Sequence, residues 1–97
     1  MTEDDVRLAL RDVVDPELGV NIVDLGLVRS IDVSDRAARI TMVMTSPACP
    51  LREYMRDMVE STVAARVPNA RAVIVEIADE PPWSPDMMSD EARRQLE

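Results

Sequence analysis

The chain has no histidine, no lysine and no phenylalanine, a single cysteine (Cys49), two glycines and only two aromatic residues, Tyr54 and Trp83. Each absence narrows the chemistry. Without imidazole, soft-metal or nucleophilic chemistry is expected to run through one thiol, helped by carboxylates, hydroxyls and backbone amides. One cysteine excludes an internal disulfide and fits a reducing compartment, so a cytoplasmic location is expected. The N-terminal Met1-Thr2-Glu3-Asp4-Asp5 has neither the basic nor the apolar stretch of a secretion signal. No apolar run approaches the length that spans a bilayer, so no membrane partner is expected. Every basic residue is arginine, and a formal net charge of −8 repels phosphate backbones, which argues against nucleic acid as a partner.

What is present suffices for one core. Ninety-seven residues, 46% of them hydrophobic, predict a single domain over residues 1–97 that buries roughly two-thirds of its unfolded surface. With so few aromatics, that core must be built from Val, Ile, Leu and the seven methionines.

Thr2, followed by Glu3, Asp4 and Asp5, reads as a helix cap with an acidic first turn. Val6, Ala9, Leu10 and Val13 then recur at helical spacing, which predicts a helix over about residues 3–13 that Asp15-Pro16 stops. Residues 15–26 form a long connection holding both glycines. Leu27 to Val33 reads as a strand with Leu27, Arg29, Ile31 and Val33 on one face. Ala38 to Thr45 reads as a second, with Ile40, Met42 and Met44 aligned. The short Ser34-Asp35-Arg36 turn makes the two an antiparallel hairpin.

From Leu51 to about Val67, the residues Leu51, Tyr54, Met55, Met58, Val59, Thr62 and Val63 form a core-facing helical stripe, with Arg52, Glu53, Arg56, Asp57 and Glu60 on the outer face. Arg71 to Ile77 is a β-branched third strand with Val73, Val75 and Ile77 aligned. Residues 79–97 form a Pro/Trp segment and a short terminal helix capped by Ser89. The order α-β-β-α-β-(α) predicts an α/β (α+β) two-layer sandwich, a small mixed three-stranded sheet covered by helices.

Three segments could carry chemistry. In Thr45-Ser46-Pro47-Ala48-Cys49-Pro50, a proline at the first helical position leaves Cys49 as the expected N-cap. There the helix macrodipole favours thiolate over thiol, and Thr45 and Ser46 offer hydroxyls nearby. The plainer account is a small buried residue at a turn. In Asp15-Pro16-Glu17-Leu18-Gly19-Val20-Asn21-Ile22-Val23-Asp24-Leu25-Gly26, Asp15 and Glu17 could flank a metal or act as an acid/base pair. Alternatively, Asp15 and Asn21 make local turns while Ile22, Val23 and Leu25 fill the core. In Pro81-Pro82-Trp83-Ser84-Pro85, Trp83 is either a docking anchor or, as we favour, a lid over its own core.

Together, Asp15-Pro16-Glu17-Leu18, Asn21 through Val28, the Thr45–Pro50 segment and Pro81 through Ser89 resemble the signature motifs of the SufT/PaaD-like metal–sulfur cluster assembly factors. The resemblance covers nearly the whole chain and is closer to the short, single-domain members. It implies the compact α/β cluster-assembly fold, with Cys49 as metal ligand and with Thr45, Asp15 and Glu17 at the cofactor-binding site. Two positions depart from the pattern: Val43 stands where a second Thr is frequent, and Ala48 where Gly is frequent.

The expected function is non-enzymatic assembly or transfer of iron–sulfur clusters to client proteins. Such clusters take four thiolates as a rule and the chain supplies one. The cofactor is therefore expected to be a transient cluster, shared between two chains of a homodimer or with a client or the assembly machinery. A thiol-dependent enzyme with Cys49 as nucleophile, and a non-catalytic subunit or adaptor of a ring-hydroxylating oxygenase, are the alternatives.

Overall fold

The fold begins with a short helix whose start is chemically specified. In the computed structural model, which describes residues 1–45, 51–80 and 82–96, α1 spans Glu3–Leu10. The Thr2 hydroxyl accepts the Asp5 amide at 3.1 Å, and the Asp5 carboxylate accepts the Thr2 amide at 2.9 Å, a reciprocal capping box. The helix ends three residues before the expected boundary. Asp12 and Val13 donate to the carbonyls of Ala9 and Leu10, so the last turn tightens to 3-10 geometry well before Pro16.

Residues 13–22 are not a featureless connection. Asp15 donates to Val20 O at 2.9 Å, Ile22 donates to Val13 O at 3.0 Å, and Val14 faces Asn21 in an isolated antiparallel bridge. The segment is a miniature hairpin turning at residues 16–19.

Strand β1 (Val28–Ser34) pairs antiparallel with β2 (Ala37–Met42) through the two-residue turn Asp35-Arg36, where φ is +50° and +68°. Two successive positive φ values are the mark of the turn whose twist matches a hairpin. Val28 pairs with Met42 but Ser30 pairs with Thr41, so Arg29 is a bulge residue. The expected alignment of Leu27, Arg29, Ile31 and Val33 fails for that reason. The bulge turns Arg29 out to solvent and brings Val28 onto the face of Ile31. Strand β2 ends at Met42, before the expected Thr45: Val43 still donates to Leu27 O at 2.8 Å, but the Leu27 amide is diverted to Ile22 O at 3.0 Å, so the reciprocal bond is not made. Val43 and Met44 are consequently both buried rather than alternating.

Helix α2 (Arg52–Arg66) crosses over to β3 (Ala72–Ile77), which lies parallel to β2, completing a mixed sheet of order β1-β2-β3. Met55, Val59 and Val63 are fully buried beneath it, with Leu51, Met58 and Thr62 at the margin. Tyr54, expected in the core stripe, is exposed, since it sits about 100° of rotation from Met55. Helices α1 and α2 pack on one sheet face; the other presents Ser30, Asp32, Arg39 and Glu76, with Arg39 and Glu76 ion-paired.

The C-terminal segment is a strap. A 3-10 turn over Pro85–Met87 leads to α3 (Asp90–Leu96), which Ser89 caps by accepting the Ala92 amide at 3.1 Å. The strap is fastened to residues 24–26: Trp83 Nε1 donates to Leu25 O at 2.7 Å, and the Ser89 amide donates to Asp24 O at 2.7 Å. Trp83 is thus a lid on its own fold, as favoured from the sequence. The fold is α+β in the order α-β-β-α-β-α, and among the described residues no helix is long and apolar enough to cross a membrane.

Candidate functional site

Parallel strands followed by a crossover helix gather loops at their carboxyl ends, where ligands of α/β folds are usually held. Here β2 runs out into Val43-Met44-Thr45, α2 starts at Arg52, and β3 runs out into Ala78-Asp79. These residues, with Pro82 and Trp83 from the strap, line a small cavity of about 70 Å³. Thr45, singled out from the sequence, is half-buried in its wall.

Arg52 is the residue that sequence reasoning missed, having assigned it to the solvent face of α2. Its guanidinium donates to Asp79 Oδ1 at 2.9 Å and to Ile77 O at 3.5 Å, tying the start of α2 to the end of β3. A signal was available: a cation in the first turn opposes the helix macrodipole and needs another reason to be there. The ion pair with Asp79 supplies it.

Cys49 lies outside the described residues, within the segment that joins Thr45 to Leu51 along the chain. The expected cap arrangement requires correction on the helix side. Leu51 occupies the N-cap position, without a side-chain hydrogen bond, and the first helical residue is Arg52 rather than Pro50. The apolar Leu51 side chain cannot itself accept from the first amides of α2.

Asp15 is 3% exposed, and its Oδ1 accepts the amides of Glu17 at 2.8 Å and Leu18 at 3.2 Å. The buried carboxylate therefore holds the turn of the 13–22 hairpin, and it presents Glu17 at the surface. Neither residue lines the cavity beside Thr45. The adjoining turn is also locally bonded: Asn21 Oδ1 accepts the Asp24 amide at 2.9 Å, and Asn21 Nδ2 donates to Asp24 Oδ2 at 2.7 Å. Ile22 and Leu25 are buried in the core. Among the described residues, no three carboxylate or thiol side chains come together in a way that could hold a metal ion.

Two of the segments noticed in the sequence thus clasp each other. Gly26, at φ +78°, lies so close to Met87 that an added Cβ would come within 2.7 Å of the Met87 carbonyl carbon and Cβ. The glycine is required both by its backbone conformation and by that approach.

Comparison with known proteins places this architecture. A family model described as "Iron-sulfur cluster assembly protein" matches residues 3–77. An "Fe-S protein maturation auxiliary factor" of Porphyromonas gingivalis is 40% identical over 96 residues, covering 98% of this chain and 90% of that protein. The auxiliary factor SufT of Staphylococcus aureus is 43% identical over 82 residues, 84% of this chain and 92% of the relative. The crystal structure of a domain of unknown function from Bacillus anthracis superposes with a TM-score of 0.94 at 38% identity, covering 97% of this chain and 90% of that one. With the element order, the motifs and these near-full-length likenesses in agreement, this chain belongs to the iron–sulfur cluster assembly protein family.

Proposed function

We propose that this protein is an auxiliary factor in iron–sulfur protein maturation, using the Cys49 thiolate as a single, exchangeable ligand to a cluster or its iron in transit. The observation that carries the reading is likeness along almost the entire chain to proteins named for that role. Its lone thiol, Cys49, lies along the chain between the cavity-lining Thr45 and the start of α2.

The chemistry is ligand exchange rather than catalysis. Four thiolates normally hold a cluster, so one sulfur leaves most of the coordination to the client, the assembly machinery or small thiols. A cargo held by one protein ligand is released when client thiolates displace it, with no change of oxidation state required. Thr45 supplies a hydroxyl at the cavity wall, and Arg52, its charge paired with Asp79, supplies further guanidinium N–H donors there. Glu17, presented at the surface by the turn that Asp15 holds, lies outside that cavity's lining, and the reading gives it no contact with cargo.

The reading is tested by anaerobic reconstitution with ferrous iron and sulfide. Wild type is expected to take up visible sulfur-to-iron charge-transfer absorption that small thiols strip readily, and Cys49→Ser is expected to take up none. Equal absorption from Cys49→Ser would remove the sulfur from the account and leave the protein an adaptor that brings partners together.

A further inference from the structure

The two edges of the sheet are treated differently. In the β2–β3 ladder, Ala72 donates to Arg36 O and Ala78 to Met42 O. Parity therefore turns the amides of Ile74 and Glu76 toward β2, and those of Val73, Val75 and Ile77 toward the open edge. Among the described residues, the amides and carbonyls of Val73 and Val75 have no hydrogen-bond partner beyond that ladder. Strand β1, at the other edge, is interrupted by the Arg29 bulge, a device that discourages strand pairing, whereas each edge carries one exposed acid, Asp32 on β1 and Glu76 on β3. Strand β3, Ala-Val-Ile-Val-Glu-Ile, has no proline, glycine, lysine or bulge, and it exposes 41% of Ile74 on the open face of the sheet.

We infer that β3 is a self-association edge, pairing antiparallel with β3 of a second copy across a two-fold axis at Ile74. The register chooses the occupant. Ile74 then lies opposite Ile74 of the second copy, the half-buried Val73 lies opposite Val75, and Glu76 lies opposite Ala72. No like charges face each other, and β-branched cross-strand pairs fill the seam. Two three-stranded sheets become one of six. Antiparallel pairing sends the carboxyl ends of the two β3 strands in opposite directions. With about 3.3 Å of rise per residue, the two Thr45–Arg52 cavities lie on the order of 20 Å apart along the joint. A dimer of this kind carries two separate sites rather than one cluster held between copies. The inference stands independently of the proposed function.

The test is sedimentation velocity over a concentration series, in reductant and chelator so that neither disulfide nor metal can join the chains, with amide hydrogen exchange on the same samples. The full chain is expected to pass from monomer to dimer as concentration rises. Val73 and Val75 amides should gain protection in step, while those of Ile74 and Glu76 stay protected throughout. Ile74→Lys sets two lysines face to face and is expected to weaken association roughly tenfold. Leu8→Lys, at a more exposed apolar residue on α1, is expected to leave it unchanged. A monomer at every concentration, a dimer indifferent to Ile74→Lys, or exchange at Val73 and Val75 that ignores concentration would overturn the inference.

Discussion

Gly26 and Gly19 both adopt positive φ, at +78° and +72°, yet only Gly26 has a neighbour where a Cβ would stand. The left-handed conformation alone disfavours a side chain by about 1–2 kcal/mol. Gly19→Ala is therefore expected to lose about that much stability. Gly26→Ala, which must also push back the Met87 backbone, is expected to lose roughly 3 kcal/mol or more. Urea unfolding of the two variants checks the ordering, and equal losses would mean the strap yields without resistance. Asp15 allows a similar separation of roles. Asn keeps an oxygen that can accept the Glu17 and Leu18 amides, whereas Ala keeps none. Asp15→Asn is expected to stay within about 1 kcal/mol of wild type and Asp15→Ala to lose about 1–3 kcal/mol. If both variants unfold alike, the charge of Asp15 matters more than its turn.

Among the elements, the strap carries the clearest consequence. Trp83→Phe keeps most of the apolar cover but deletes the donor to Leu25 O, and a carbonyl left without its partner costs about 1–2 kcal/mol. That loss is expected in thermal unfolding followed by circular dichroism, since the variant has no tryptophan left to report. Elements with strong local signals were legible in the sequence. The Thr2 cap, the Met55–Val59–Val63 stripe, the hairpin turn at Asp35-Arg36, the alternation of β3, the Ser89 cap and the folded-back Trp83 all rest on residues within a few positions of each other or on one conspicuous side chain. What escaped depends on distant partners. The bulge at Arg29 follows from how β1 must register against β2. The early end of β2 follows from the Leu27 amide turning to Ile22 rather than back to Val43. The 13–22 hairpin is built mostly of backbone bonds and one buried carboxylate, which no periodicity announces. Arg52 looked like a surface residue because nothing in α2 itself reveals Asp79, 27 positions away.

For the molecule as a whole, the segments that first suggested chemistry divide into two kinds. The 21–26 turn and the Trp83 strap hold each other, and their named contacts are structural. Thr45, Arg52 and Asp79 instead meet at the carboxyl ends of β2 and β3, next along the chain to the lone cysteine. The signature that marks the family is therefore partly a description of how the fold is closed, and on the proposed reading its remainder marks where cargo is exchanged. That division makes stability and transfer separable. Substitutions in the clasp lower the unfolding free energy and affect transfer only through the folded fraction. On the proposed reading, replacing the Cys49 thiol is expected to abolish exchange at an unfolding free energy close to wild type. The most direct measurement is the rate at which protein preloaded with iron and sulfide activates an apo-ferredoxin, compared for wild type, Cys49→Ser and Asp15→Asn at equal folded concentration. The account predicts background transfer from Cys49→Ser and near wild-type transfer from Asp15→Asn. Full transfer from Cys49→Ser would contradict it.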